Sequence, residues 1–200
     1  MKRVVDSQQE YYDHDVSKLT MADAQLENAL FDRCIFSDCD FSAATLRQCK
    51  FIECEFIRCN LSLSEIARST FREVTFTECK LMGIDWTKAG WSSLHLPGSL
   101  QFYRCILDHS SFFGLYLAQC KWVECRLHDV DFTETQCEHA DFTGSDCYRA
   151  TFHHTDLRSA DFSHAYGYNI NLFNNEIKRA TFMLPEAASL LASLQITLIE

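Results

Sequence analysis

A large apolar side chain returns at every fifth position along most of this chain, and this period constrains the fold more than any other feature. The column runs in one register from Leu26 to Leu96, slips by one residue, and resumes from Phe102 to Phe162. Gly167 then interrupts it before it returns near the C-terminus. A period of five fits neither a helix, whose period is about 3.6, nor a strand, whose period is about 2. The chain is therefore predicted to consist of a short structural repeat.

A second column, made of small residues, lies two positions before the large one. Ala, Ser and Cys interchange in it, and all 11 cysteines fall in the two columns, with only Cys137 and Cys147 in the large one. The other three positions of each repeat carry nearly all the charge. Two inward residues in every five predict a narrow solenoid that is filled by its own side chains.

This pattern resembles the pentapeptide-repeat family, whose motif is Ala-(Asp/Asn)-Leu-X-X. The motif is clear at residues 39–43, 59–63, 140–144 and 160–164, and the resemblance covers residues 22–182. It implies an all-β fold, a right-handed quadrilateral β-helix of about eight coils. Each coil would contain four repeats, and adjacent coils would lie about 4.8 Å apart.

The charged residues support this coil independently, because four repeats per coil place each residue beside the one 20 positions later. Opposite charges recur at that spacing, as in Asp38 with Arg58, Arg126 with Asp146, and Asp129 with Arg149. Such pairs stabilise a ladder by a few tenths of a kcal/mol, up to about 1. The sequence therefore predicts a period of 20 as well as a period of five.

Some like charges also occur 20 positions apart, notably Asp141 with Asp161 and Asp156 with Glu176. Such pairs destabilise a ladder, so stability does not select them. They are either solvated carboxylates that keep the rod soluble or part of a surface that binds a partner. The candidate partner-binding surface comprises Asp129, Asp131, Glu134, Glu138, Asp141, Asp146, Asp156, Asp161 and Glu176.

Three segments are expected from the register: an N-terminal cap at 1–20, the β-helix at 21–183, and a short helix and strand at 184–200. Pro185 and Glu186 suit the first turn of that helix. The apolar C-terminal segment either covers the last coil within one chain or seals it against a second copy, and its apolar character favours a homodimer. The predicted dimer interface comprises Leu190, Leu191, Leu194, Ile196 and Leu198.

Catalysis, metal binding and cofactor binding are not expected. The spacing of the cysteines is the repeat period and not the Cys-X2-Cys spacing of zinc sites. The histidines within the repeats fall at outward positions, and the six glycines are scattered rather than gathered in a phosphate-binding loop. A regular rod also lacks a deep pocket for a substrate.

The composition also limits the location and the partners of the chain. No apolar run approaches the roughly 20 residues of a membrane helix, and the N-terminus lacks the apolar core of a secretion signal. The 11 cysteines are therefore expected to be reduced thiols in the cytoplasm. A net charge of −10 argues against direct nucleic-acid binding and favours a basic surface on a protein partner.

Within the family, the chain most resembles the proteins that protect DNA gyrase, a type II topoisomerase, from poisons. The albicidin-resistance type is most similar, and the microcin B17 immunity and quinolone-resistance proteins are related. The segments that carry this resemblance are residues 59–63, 113–117, 177–180 and 184–188. The resemblance implies a head-to-head homodimer that mimics DNA and binds gyrase. The alternative is an acidic scaffold for another protein partner.

Two features modify this expectation. Quinolone-resistance proteins carry longer loops, whereas this chain leaves register only at 96–101, by one residue, with a possible loop at Pro97 and Gly98. Eight coils would form a rod of roughly 40 Å, so the net charge corresponds to about one per 4 Å, against one per roughly 1.7 Å in duplex DNA. The electrostatic field of the rod would therefore be weaker than that of DNA, and the shape of the rod would have to provide the rest of the mimicry.

Overall fold

The computed structural model describes residues 5–91 and 96–196, which form a parallel-strand solenoid of about eight turns. Its strands are short, because the chain turns a corner after nearly every repeat. They are β1 (Glu10–Tyr12), β2 (Asp15–Ser17), β3 (Gln25–Glu27), β4 (Leu30–Asp32), β5 (Ile35–Ser37), β6 (Thr45–Arg47), β7 (Lys50–Ile52), β8 (Glu55–Ile57), β9 (Thr70–Arg72), β10 (Val74–Thr77), β11 (Leu100–Tyr103), β12 (Lys121–Val123), β13 (Asp161–Phe162) and β14 (Thr181–Phe182). Two 3₁₀ helices, η1 (Trp86–Lys88) and η2 (Glu186–Leu194), complete the structure.

The coil has four faces, numbered here in chain order. Face 1 contains β1, β4, β7 and β9, and face 2 contains β2, β5, β8, β10, β11 and β12, followed by β13 and β14. Face 3 is a series of parallel bridges from Thr20 to Tyr166, and face 4 begins with β3 and β6. Pairing joins residues 20 apart, such as Phe31 and Phe51. The predicted four-sided coil with a period of 20 is confirmed.

Stacked aromatic rings fill the interior. On face 2 the ring centroids of Phe36 and Phe56 are 4.7 Å apart, and those of Phe76 and Phe102 are 5.2 Å apart, with nearly parallel planes. These separations follow the spacing of adjacent strands, so each coil places its ring on the ring of the coil before it. Cys137 and Cys147 are fully buried in the same large column, as predicted.

The corners between faces are of two kinds. In a closed corner, the small residue donates its N–H to the carbonyl three residues earlier, as Ala44 does to Phe41 at 3.0 Å. In an open corner, a side chain from the next coil bridges the same two groups. The Cys59 thiol donates to the Phe36 carbonyl at 3.3 Å and accepts the Cys39 N–H at 3.4 Å. Small size alone therefore does not define this column, because Ala cannot form the bridge of an open corner.

The coil extends further toward the N-terminus than the expected boundary at residue 21. Strand β1 pairs with β4 and β2 pairs with β5, both in the regular register. Val5 and Val16 are buried in the core, and Tyr11 packs against it. Tyr11, Val16 and Met21 continue the five-residue column, but these residue types differ from the Phe and Leu of the later repeats. Residues 1–4 lie outside the described residues.

The irregularity near residue 96 is larger than the expected slip of one residue. Val74 pairs with Leu100 and Phe76 with Phe102, so 26 residues rather than 20 separate successive coils. The chain inserts six residues, and a pattern with a period of five cannot distinguish six from one. Trp91 is consequently only half-buried and Leu96 is exposed, although the sequence pattern placed both inside. Residues 92–95, within this insertion, lie outside the described residues.

The last coil also departs from the simple register. Phe152 pairs with Ile170, and Ile170 and Tyr168 are buried, whereas Leu172 is only part-buried. The predicted C-terminal helix is present as η2. The residue that follows it, Gln195, has a left-handed backbone conformation. The predicted strand after it begins at Gln195, and most of it, including Leu198, falls in residues 197–200, outside the described residues.

Candidate protein-binding surfaces

The nine carboxylates predicted to bind a partner lie on all four faces and do not form one acidic face. The repeat order determines this, since consecutive repeats occupy consecutive faces. Face 1 carries Glu138, Asp156 and Glu176; face 2 carries Asp141 and Asp161; face 3 carries Asp129 and Asp146; face 4 carries Asp131 and Glu134. A single flat partner surface could contact the carboxylates of only one or two faces.

Arg158 neutralises part of the acidic group on face 1. Its guanidinium lies 2.7 Å from an oxygen of Asp156 and 3.4 Å from an oxygen of Glu138. The hydrogen bonds from Arg158 lower the pKa of Asp156 despite its partial burial. Asp156 is directly paired with Glu176 across the ladder, so the same guanidinium also relieves the repulsion of that like-charge pair.

The two carboxylates on face 3 also have partners within the chain. Arg149 Nε lies 2.8 Å from Asp129 Oδ1, as the spacing of 20 predicted. Asp146 was expected to pair with Arg126, but it lies 2.6 Å from His128 Nε2 instead, and Arg126 binds the buried Asp108. The ion pair with Arg149 reduces the contribution of Asp129 to the external field.

Five of the predicted carboxylates stabilise the corners of the coil. In each, Oδ1 accepts the backbone N–H two residues later, at 2.8 to 3.1 Å. Asn60 makes the same hydrogen bond to Ser62 at 3.1 Å, so the bond requires the side-chain oxygen and not the charge. The five are Asp131, Asp141, Asp146, Asp156 and Asp161.

Asp141 and Asp161 on face 2 are a like-charge pair that no ion pair relieves in the described part of the chain, although the ladder also places Lys121 beside Asp141. They are paired directly across the ladder, and neither forms an ion pair within residues 5–91 and 96–196. Their corner hydrogen bonds require a side-chain oxygen at each position, but Asn would also provide one. The hydrogen bonds therefore do not explain the negative charges. This pair is therefore the strongest remaining candidate for a charged contact with a partner.

Five large apolar side chains are exposed between residues 173 and 196, near the C-terminus. Leu184 is 76% exposed, Phe173 is 74% exposed and Ile196 is 53% exposed, with Met183 and Leu194 also exposed beside them in the sequence. The sequence pattern had not identified Phe173, Met183 or Leu184 as surface residues of this end. Phe173 could have been recognised, because it is a large apolar residue at an outward position of its repeat.

Helix η2 packs on the last coil of its own chain. Glu186 accepts the N–H of Gly167 at 2.8 Å, and Leu190, which is 8% exposed, packs into the core. Leu190 therefore helps to cover the last coil of its own chain and is not exposed for contact with a second copy. Leu191 is part-buried, Leu194 and Ile196 remain exposed, and Leu198 lies outside the described residues.

The predicted loop residues Pro97 and Gly98 form a turn at the insertion. Gly98 has a φ of 67° and donates its N–H to the Ala118 carbonyl at 2.8 Å. Because that φ is left-handed, glycine is favoured there. The turn therefore holds the insertion against the following coil.

Among the residues that the structure describes, no group of three His, Cys, Asp or Glu side chains could hold a metal ion. In the same part of the chain, no helix is long and apolar enough to cross a membrane. All 11 cysteines are buried free thiols. Burial raises the pKa of Cys54 and Cys120 to about 12, which keeps both thiols protonated.

Comparison with known proteins identifies the repeat. A profile of the pentapeptide repeat region matches residues 29–100 and 96–162. Two solved, trypsin-treated forms of QnrB1, a plasmid-mediated fluoroquinolone resistance protein, superpose with TM-scores of 0.65 and 0.63 at 16% identity. The first covers 95% of this chain and 97% of its own, and the second 97% and 99%. Full-length QnrB1 gives a TM-score of 0.52 at 17% identity, covering 94% and 100%. No curated protein matches. At these identities the likeness concerns the fold.

Proposed function

This chain belongs to the pentapeptide-repeat family, and we propose that it mimics duplex DNA, binds DNA gyrase and protects that enzyme from a poison such as albicidin. The observation that carries the proposal is a continuous solenoid of about eight turns with a net charge of −10 and an interior filled by its own rings. Such a rod offers a partner its shape and its surface charge. It would act without catalysis, in the cytoplasm where gyrase works.

Electrostatic attraction to the cationic DNA-binding groove of gyrase would come from carboxylates that the chain does not neutralise itself. On face 2 these are Asp141 and Asp161, and on face 4 Asp131 and Glu134, none of which forms an ion pair among the described residues. The ion pairs on faces 1 and 3 weaken the field there. We therefore assign the gyrase contact to face 2 or face 4, with a salt-dependent affinity.

The exposed apolar side chains near the C-terminus support a homodimer within the same proposal. Leu184, Phe173, Leu194 and Ile196 are each exposed, and a second copy placed end to end would cover apolar surface of this kind. Two rods joined in this way present about twice the length of acidic surface to gyrase. Replacing Leu194 and Ile196 with Asp should yield monomers by sedimentation, whereas a wild-type protein that is monomeric at micromolar concentration would contradict the dimer.

The sequence resemblance to the albicidin-resistance type favours albicidin as the poison, and the fold shared with QnrB1, a fluoroquinolone resistance protein, supports a role in resistance. The decisive experiment is a gyrase supercoiling assay in the presence of albicidin, with increasing concentrations of the protein. We expect supercoiling to be restored at concentrations that alone do not inhibit the enzyme. A quinolone should be tested in parallel.

The double variant Asp141→Asn and Asp161→Asn tests the contribution of charge in this assay, because it removes both charges and retains the corner hydrogen bonds. It should need a higher concentration for half-maximal protection. If the wild-type protein restores no activity with any poison and does not bind gyrase, the acidic-scaffold hypothesis, with a different protein partner, replaces the present one.

A further inference from the structure

A cavity of about 380 Å³ opens on face 1 beside the six-residue insertion. Its volume lies within the range of roughly 300 to 1,000 Å³ of small-molecule sites. The walls are mainly apolar and include three aromatic side chains. The apolar residues around it are Ile52, Phe71, Trp91, Leu96, Leu115 and Tyr116.

The cavity exists because the aromatic column of face 1 stops there. The rings of Tyr11, Phe31, Phe51 and Phe71 stack at centroid separations of 5.1 Å, and among the described residues no ring continues the stack above Phe71. Phe71 is 6% exposed, more than any other phenylalanine of the core. The insertion thus leaves an aromatic surface at the position where every earlier coil supplies a ring.

Two features keep the cavity open and its walls fixed. The Trp91 ring is held outside the core by a hydrogen bond from its Nε1–H to the Trp86 carbonyl at 2.8 Å. A Cβ on Gly90 would lie 3.0 Å from the Arg68 carbonyl oxygen, so glycine permits the close approach that seats Trp91. A Cβ on Gly114, by contrast, would meet nothing within 4 Å, so this side of the cavity is unobstructed.

One cationic side chain, Arg72, lines the cavity. Within residues 5–91 and 96–196, it makes no ion pair, whereas Arg33 and Arg58, on earlier coils, are both paired with carboxylates. A guanidinium binds a carboxylate through two parallel hydrogen bonds, and aromatic walls favour a flat ring. We propose that this cavity binds a small planar aromatic carboxylate, with its ring against the apolar walls and its carboxylate on Arg72.

The net charge of −10 repels anions in general, so the apolar contacts are essential to this assignment. A small carboxylate without an aromatic ring would gain only the Arg72 contact. An uncharged aromatic compound would gain only the wall contacts. The proposed ligand class is the one that uses both.

The test is isothermal titration calorimetry of the full chain with three probes: 2-naphthoate, 2-naphthamide and cyclohexanecarboxylate. We expect saturable binding of one 2-naphthoate per chain, with the other two probes at least about tenfold weaker. The variant Arg72→Gln should weaken 2-naphthoate by about tenfold and leave 2-naphthamide unchanged.

The matched control is Arg47→Gln, which removes an exposed Arg at the corresponding position of face 4 and should leave 2-naphthoate binding unchanged. Melting curves of both variants verify that the coil is intact. The proposal is overturned if 2-naphthoate shows no saturable binding at millimolar concentration, if the amide binds as tightly as the acid, or if Arg72→Gln and Arg47→Gln behave alike.

Discussion

The coils before the six-residue insertion and the coils after it form their corners with different chemistry. Before the insertion most corners are open, and a thiol or hydroxyl from the next coil bridges the backbone groups, as Cys59 and Ser69 do. After it most corners are closed by a backbone hydrogen bond, as at Ala140. An Asp directly before the large residue often caps such a corner, as Asp141 does before Phe142. Most open corners come directly after a regular strand, and most closed corners come directly after an isolated bridge.

This comparison also accounts for the roles of the cysteines and of many aspartates. All six cysteines before the insertion donate to a carbonyl of an open corner, whereas only two of the five after it do so. Five of the seven aspartates after the insertion cap a corner through a side-chain oxygen, against two of the eight before it. What distinguishes a binding residue in this protein is therefore a charge without an internal partner, and not the presence of Asp alone.

The largest effect is expected from removing a core ring in either region, because the ring stacks are the feature that both share. Phe56→Ala and Phe142→Ala each delete a fully buried ring and should lower the free energy of unfolding by about 3 to 5 kcal/mol. Chemical denaturation measures both. A much smaller loss for Phe142→Ala would show that the later coils do not depend on the ring stack.

Removing the bridge of an open corner should have the next largest effect. Cys59→Ala leaves the buried Cys39 N–H without its acceptor and removes the thiol donor at the Phe36 carbonyl, and it should cost about 1 to 3 kcal/mol. A smaller loss is expected for Cys54→Ala, because the Cys54 thiol donates to the Phe31 carbonyl at 3.4 Å, although the interchange of Ala, Ser and Cys in the small column predicts that Ala is tolerated there.

Cys59→Ser is the control, because a hydroxyl can replace both hydrogen bonds. Ser69 and Ser145 already do so at other open corners. Equal destabilisation by Ala and Ser in thermal melts would contradict the bridging role and return the position to simple packing.

A smaller, pH-dependent effect is expected from the ion pairs of the later coils. Arg158→Gln removes the contacts that lower the pKa of Asp156. A carboxyl with a lowered pKa in the folded state stabilises the fold at neutral pH and loses that contribution as the pH falls below about 4. The melting temperature of the variant should be slightly lower at pH 7 and equal to that of the wild type near pH 2. A difference that persists at pH 2 would indicate a packing effect.

The smallest change in stability should come from Asp141→Asn with Asp161→Asn, and it should be an increase. The variant keeps both corner hydrogen bonds and removes the repulsion, which amounts to a few tenths of a kcal/mol. The proposed gyrase protection should weaken at the same time, most strongly at low salt. Unchanged protection at several salt concentrations would assign these carboxylates to the solvated surface.

The sequence was sufficient for the fold, because a register of five and charges at a spacing of 20 define the inward columns and the coil. It was insufficient for an insertion longer than one repeat, because a pattern with a period of five does not show how many whole repeats have been added. The insertion of six residues reads as a slip of one, which concealed the exposure of Leu96 and the cavity beside Trp91. The N-terminal coil was missed because Tyr11 and Val16 replace the usual Phe and Leu.

The candidate surface was less predictable than the fold, for a geometric reason. Acidic residues that are close in the sequence lie on different faces, so a dense stretch such as 129–161 does not become a dense patch. Which carboxylates are neutralised also depends on side-chain reach: Arg126 binds Asp108, 18 residues earlier, rather than Asp146. A spacing of 20 could not reveal this pairing, nor the contact between His128 and Asp146, which are also 18 residues apart.

The open corners also have a consequence for how the chain is made. Each is completed by a side chain some 20 residues further on, as the series Cys39, Cys59, Cys79, Cys105 and Cys125 illustrates. During synthesis from the N-terminus, a coil of this kind therefore stays unfinished until the following coil has left the ribosome. Closed corners, as at Ala140, need no later residue. The early part of the rod should thus form one coil behind translation, and the later part nearly in step with it.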